Sequence, residues 1–235
     1  MRLGIFLSIF LFLMSNPVVI AKSKKCSKTL SELSVTHVRP TQMSLGMREV
    51  SEKVKEIRPL LKHPKALNKF LREHPVLFVL GPKTIEFPKG EIYLVDRHHH
   101  ARAYQILQIE TVYGTMLADL SGLNIAEFWS ELEERSWVYT VDNRGRSHPA
   151  ISMSKIKTLK ELKNDSFRAL AGVVRDKGGF KKTNIPFAEF LWAHFFREEG
   201  IQIGRTKKDF KAAVKAALKI AHAKKAKDLP GYTAR

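Results

Sequence analysis

The stretch Glu91-Ile92-Tyr93-Leu94-Val95-Asp96-Arg97-His98-His99-His100-Ala101-Arg102-Ala103 decides how this chain is read. Ile92 to Val95 is an apolar run of strand length, and it breaks at Asp96 into three histidines that open a basic helical segment. A helix that begins where a strand ends leaves its first N–H groups without intrahelical partners. Those groups, aligned with the helix dipole, favour an anion. Imidazoles and arginines crowd the same spot. Phosphate chemistry is therefore the first expectation, because ligands of sheets flanked by helices gather outside the carboxyl ends of strands.

Working outward from the junction, Pro75 to Leu80 closed by Gly81-Pro82 reads as a buried strand, and Ile85–Phe87 with Ile92–Val95 as a hairpin feeding the histidines. Leu33 to Thr36 alternates like a short strand that ends at Arg39-Pro40. Val50, Val54, Ile57 and Leu61 make the apolar stripe of a helix, Lys65 to Glu73 a second helix, His98 to Leu107 a third, and Val112 to Leu117 the next strand. Strands interleaved with helices over 29–120 describe a small mixed-sheet domain.

From 121 to 235 the pattern is mainly helical, which makes the whole chain α+β. Asn124 with Glu127 predicts a capping box. Phe167, Leu170, Ala171 and Val174 form a stripe stopped by Gly178-Gly179, and Pro186 is placed in the first turn of a helix carrying Phe187, Phe190, Leu191, His194 and Phe195. Thr206 to Lys227 reads as a last helix, with Phe210, Val214 and Leu218 inward and lysines outward. Trp129, Trp137 and Trp192 and, on its apolar face, His194 are expected in the core.

The 235 residues carry a formal charge of +18, which attracts polyanions without specifying one. Met1-Arg2, the apolar run Leu3 to Met14 and the small-residue exit at Val19-Ile20-Ala21 have the pattern of a signal peptide over 1–21, cleaved after Ala21, and imply a secreted or periplasmic protein. The run is short for a bilayer, which needs about 20 apolar residues, and no later segment is apolar enough to span one. The sole cysteine, Cys26, cannot form an intrachain disulfide, so stability is expected from a core.

Chemically, Asp96 projects from the strand's carboxyl end, where it could accept a proton or hold a divalent cation; a simple helix-capping role is the alternative. Arg97, Arg102 and the histidines would stabilise phosphate charge. Consecutive helical residues point about 100° apart, so His98, His99 and His100 cannot all ligate one metal, and no dedicated zinc site is expected. No Gly-x-Ser-x-Gly elbow, Walker loop or paired-cysteine motif occurs.

The run Leu94 to Ala103 resembles the strand–Asp-Gly-His-His-Arg-x-x-Ala signature of the ParB/sulfiredoxin superfamily. The stretches Val38–Gln42, Gly46–Val50, 166–179, 186–197 and Leu229–Tyr232 are similar to the ParB-like nuclease family within it. The resemblance spans nearly the whole chain beyond the leader. It implies His98, His99 and His100 near phosphate, Asp96 as a base and Glu49 as a further acidic participant. Two positions depart from the signature: its glycine is Arg97 and its arginine is His100. A side chain at 97 stands where glycine would admit the closest approach to phosphate. Sulfiredoxin chemistry is excluded, because its cysteine is a histidine here. With the leader indicating export, the resemblance thus implies an exported protein that binds nucleic acid or nucleotide, with nuclease-like hydrolysis of phosphodiesters. The alternatives are a non-catalytic polyanion-binding module, gripping through the helix start and the basic C-terminal helix, and a nucleotide-dependent phosphotransferase.

Overall fold

The computed structural model describes residues 30–234. The leader with its expected cleavage site, and Cys26, lie outside the described residues. Strand β1 (Leu30–Ser34) and a 3-10 turn lead into β2 (Val38–Pro40) and β3 (Ser44–Leu45). Helices α1 (Met47–Ile57) and α2 (Pro64–Glu73) follow, then β4 (Val76–Leu80), β5 (Ile92–Asp96), α3 (His98–Ile106) and β6 (Thr111–Asp119). The rest comprises α4 (Ile125–Glu134), β7 (Lys163–Asn164), α5 (Ser166–Asp176), α6 (Ala188–Glu198) and α7 (Lys207–Ala221). No helix among the described residues is long and apolar enough to cross a membrane.

Five strands form one mixed sheet in the order β1-β6-β4-β5-β2: β1 with β6 and β4 with β5 are antiparallel, β6 with β4 and β5 with β2 parallel. The middle strand, β4, is apolar throughout because both faces of the sheet are covered. Leu94 and Phe78 point into a core with Val50, Ile57 and Tyr104 of α1 and α3. Tyr93, Val95 and Val79 point the other way, onto Phe128, Trp129 and Leu132 of α4. Alternation along β5 thus puts α3 and α4 on opposite faces. A third core joins Leu170, Val174, Trp192, Phe196, Phe210 and Val214 of α5, α6 and α7. The chain is α+β with a helical C-terminal region, and α4 packs on the second face of the sheet.

The two-residue pair β3–β7 is parallel and joins the start of α1 to the start of α5. Asp165 N donates to Leu45 O at 2.8 Å and Met47 N to Asn164 Oδ1 at 3.0 Å. Gly46 lies against α5 so closely that a Cβ there would sit 3.0 Å from Ala169 N.

The predicted capping box at Asn124–Glu127 is present, and Gly178 (φ 79°) ends α5 as expected. Other expectations change. Residues 85–87 form no strand: a turn closed by Thr84 and Phe87 leaves Ile85 fully exposed, and β5 pairs directly with β4. Pro186 precedes α6, whose N-cap is Phe187 in the left-handed region (φ 57°). The last helix stops at Ala221 and hides alanines, with Leu218 only partly buried. His194 is not packed in the core; it is exposed and pairs with Glu198 at 3.1 Å, because α6 buries the adjacent face holding Trp192, Ala193 and Phe196. Trp129 and Trp192 are core residues, and Trp137 is half-buried.

Candidate functional site

The chain passes from β5 to α3 through a single residue. Arg97 turns the backbone with φ 66° and ψ 30°, the left-handed region natural to glycine, and it is the N-cap of α3. No side chain caps the helix. Asp96 is exposed and accepts from the Arg97 N–H at 2.6 Å, so it neither caps α3 nor meets Glu49. The first-turn N–H groups of α3 thus have no side-chain cap among the described residues, and Arg97 precedes them with half-buried Arg102 further along. Arg97→Gly is expected to hold or raise stability, by up to about 1 kcal/mol in urea unfolding, because it relieves left-handed strain while adding unfolded-state entropy. A clear loss would mean that the Arg97 side chain contributes more than the strain costs.

The histidines expected at the phosphate do different work. His98 accepts from Thr41 N–H at 3.1 Å through Nε2, and His99 accepts from Gly46 N–H at 3.1 Å through the same atom. An acceptor Nε2 fixes the proton on Nδ1, so both rings are neutral. Burial pushes His98 down to about 3 and His99 down to about 4. They are staples that hold the buried segment 41–46 onto α3, rather than cations. His100 lies between His74 (ring centroids 5.8 Å) and Tyr104 (6.2 Å), and its Nε2 is buried without a hydrogen-bond partner among the described residues. Burial, with Lys53 and Arg97 nearby, lowers it to about 3. The positive charge at the junction is thus that of arginine and lysine.

Glu49, on α1, turns toward α5. Its Oε2 accepts from Arg168 Nη1 at 2.8 Å and its Oε1 lies 3.9 Å from His99 Nδ1. Burial raises the Glu49 carboxyl, but Arg168 and other neighbouring charges outweigh it and hold it at about 2. A carboxylate so acidic is a poor proton acceptor; it orients His99 and anchors Arg168. Arg168 is buried, with its guanidinium 5.2 Å from the Phe190 ring. Arg175 pairs with Glu189, and Arg197 Nη2 with Asp165 Oδ1 at 3.0 Å. Asp165 also caps α5 through Phe167 N and Arg168 N. Among the described residues, no three His, Cys, Asp or Glu side chains are placed to hold a metal.

A family model described as "Putative ParB-like nuclease" matches residues 31–198. This chain belongs to that family. The crystal structure of protein Atu1540 from Agrobacterium tumefaciens is similar, at 35% identity and a TM-score of 0.73, covering 88% of this chain and 97% of that one. No curated protein matches the chain.

Within this ParB-like chain, sequence reasoning located Asp96, Arg97 and the histidines but missed Arg168, Arg175, Glu189, Asp165 and Arg197. A signal existed. Arg168, Gly172 and Arg175 follow one another at i, i+4 and i+7, a polar face beside the apolar stripe of α5. Gly172 makes room there, since a Cβ would sit 3.2 Å from Glu49 Oε2. The family match ends at residue 198, so α7 lies outside it.

Proposed function

We propose that this ParB-like protein binds nucleic acid by its phosphate groups at the amino end of α3. One observation carries the reading: α3 opens at Arg97, in a left-handed conformation, with no side-chain cap among the described residues for its first-turn N–H groups and with an arginine beside them. His98, His99, Glu49 and Arg168 position that turn by holding segment 41–46 and α1 against it. The formal charge of +18 supplies the non-specific attraction. The apolar leader supports an exported protein, for which a triphosphate-dependent transfer reaction lacks a maintained supply of substrate.

Phosphodiester hydrolysis is the second reading, favoured by the family description and by Asp96, an exposed carboxylate next to the open turn. A divalent cation held by Asp96 and the phosphate itself would supply Lewis-acid assistance there. Labelled single- and double-stranded DNA and RNA titrated into the protein, with and without magnesium or manganese, test both readings. Arg97→Ala with Arg102→Ala is expected to weaken binding and lower the salt slope by about 1 to 2, at about 0.9 per lost phosphate contact. Unchanged affinity and slope overturn the site. Asp96→Asn is expected to stop any cleavage while leaving binding in place, and cleavage that survives it removes Asp96 from the chemistry.

A further inference from the structure

Helix α7 carries one acidic residue, Asp209, and that carboxylate is spent on its own N-cap, accepting from Thr206 N at 3.0 Å. Lys208, Lys211, Lys215 and Lys219 follow at spacings of three, four and four residues, so they form one narrow row. All four are exposed, and none has an ion-pair partner among the described residues. The opposite face, with Phe210, Ala213, Val214, Ala217 and Ala221, is buried against α5 and α6. Arg48 of α1 lies over the Phe210 ring at 3.9 Å, which places the amino half of α7 next to α1, the helix that packs on α3. The row is therefore displayed on a helix whose other face is packed in the core.

Helix stability does not explain this arrangement. Like charges at i, i+4 repel, and Lys207, Lys208 and Lys211 sit toward the amino end, where the dipole disfavours cations. A partner that neutralises the row does explain it. The row spans about 16 Å at 1.5 Å per residue, and over such a length a nucleic-acid duplex presents roughly ten phosphates. A bilayer surface fits less well, because an interfacial helix needs a free apolar face and that of α7 is consumed by the core.

We propose that the lysine row of α7 is a second phosphate track, outside the family region, that grips the same nucleic acid as the α3 end; it rests on the nucleic-acid reading above. The test compares three forms of the protein on a labelled duplex over a salt series: unaltered, Arg97→Ala with Arg102→Ala, and the quadruple Lys208→Gln, Lys211→Gln, Lys215→Gln, Lys219→Gln. Thermal melting confirms that the surface substitutions leave the fold intact. The quadruple variant is expected to lose about 3 to 4 from the salt slope, and affinity by more than tenfold at low salt, at about 0.9 per contact. A quadruple variant with the unaltered slope overturns the track while the α3 site stands on its own variant. An unaltered protein that binds no nucleic acid overturns both. Vesicles of phosphatidylcholine with phosphatidylserine form the control, and lysine-dependent vesicle binding without lysine-dependent DNA binding overturns the track in favour of a lipid surface.

Discussion

Stability is expected to fall from about pH 6 downward, well above the range where surface carboxylates titrate. His98 and His99 are buried with Nε2 committed to main-chain donors, and they are held down to about 3 and about 4 against about 6.5 in the unfolded chain. Between those limits the unfolded chain takes up protons that the native one refuses. Their contribution is thus complete above pH 6.5 and is lost as pH falls toward 4. Glu49 acts with the same sign lower down: held at about 2 against 4.5, it stabilises fully above pH 4.5 and loses that contribution as pH falls to 2. Each unit of displacement is worth about 1.4 kcal/mol, so the two histidines alone represent several kcal/mol, on the scale of a domain's entire net stability of about 5–15 kcal/mol. Urea midpoints measured from pH 8 to pH 4 check this. A midpoint that stays level down to pH 4.5 would mean that the rings are not buried neutral staples.

Arg168→Met should cost about 2–4 kcal/mol, because it removes the partner that keeps Glu49 ionised inside the α1–α5 contact. The methionine fills part of the space over Phe190 but leaves a carboxylate without its ion-pair partner. Glu49→Gln alone strands the guanidinium instead and should also destabilise. The double variant Arg168→Met, Glu49→Gln should therefore be more stable than the sum of the two losses implies, with a coupling of about 1–3 kcal/mol. Urea unfolding of the four proteins measures it. An Arg168→Met loss below about 0.5 kcal/mol would show the pair to be ornamental to stability. The same variant should raise the acid limit of the protein, since Glu49 then protonates nearer its ordinary range.

Much of the fold was legible because it is written in local pattern. The apolar run of β5 and the break at Asp96 placed the junction, and the Asn124–Glu127 box placed the start of α4 to the residue. The site was legible only in outline. A row of three histidines shows residue type but not who faces each ring. The partners of His98 and His99 are N–H groups 57 and 53 residues away, on Thr41 and Gly46, whose family-like stretches give no hint of which ring they meet. Glu49 joined Asp96 only through what the family resemblance implies for an acidic residue of the first helix, yet Asp96 faces solvent and Glu49 faces α5. His194 was expected inside because helical spacing cannot tell the edge of an apolar stripe from its centre. Ile85 misled for the converse reason, an apolar side chain left in water by a closed turn.

The short ladder between β3 and β7 has a consequence for what this molecule can measure. One seam launches both α1 and α5, and Arg48 of α1 reaches the Phe210 ring of α7, so packed contacts run from the arginine-led turn to the lysine row. If both proposed sites bind, they would act as the two jaws of a calliper. Oligonucleotides below a threshold length should engage one jaw at a time, and affinity should climb in a step, not a ramp, once a strand is long enough to close the gap.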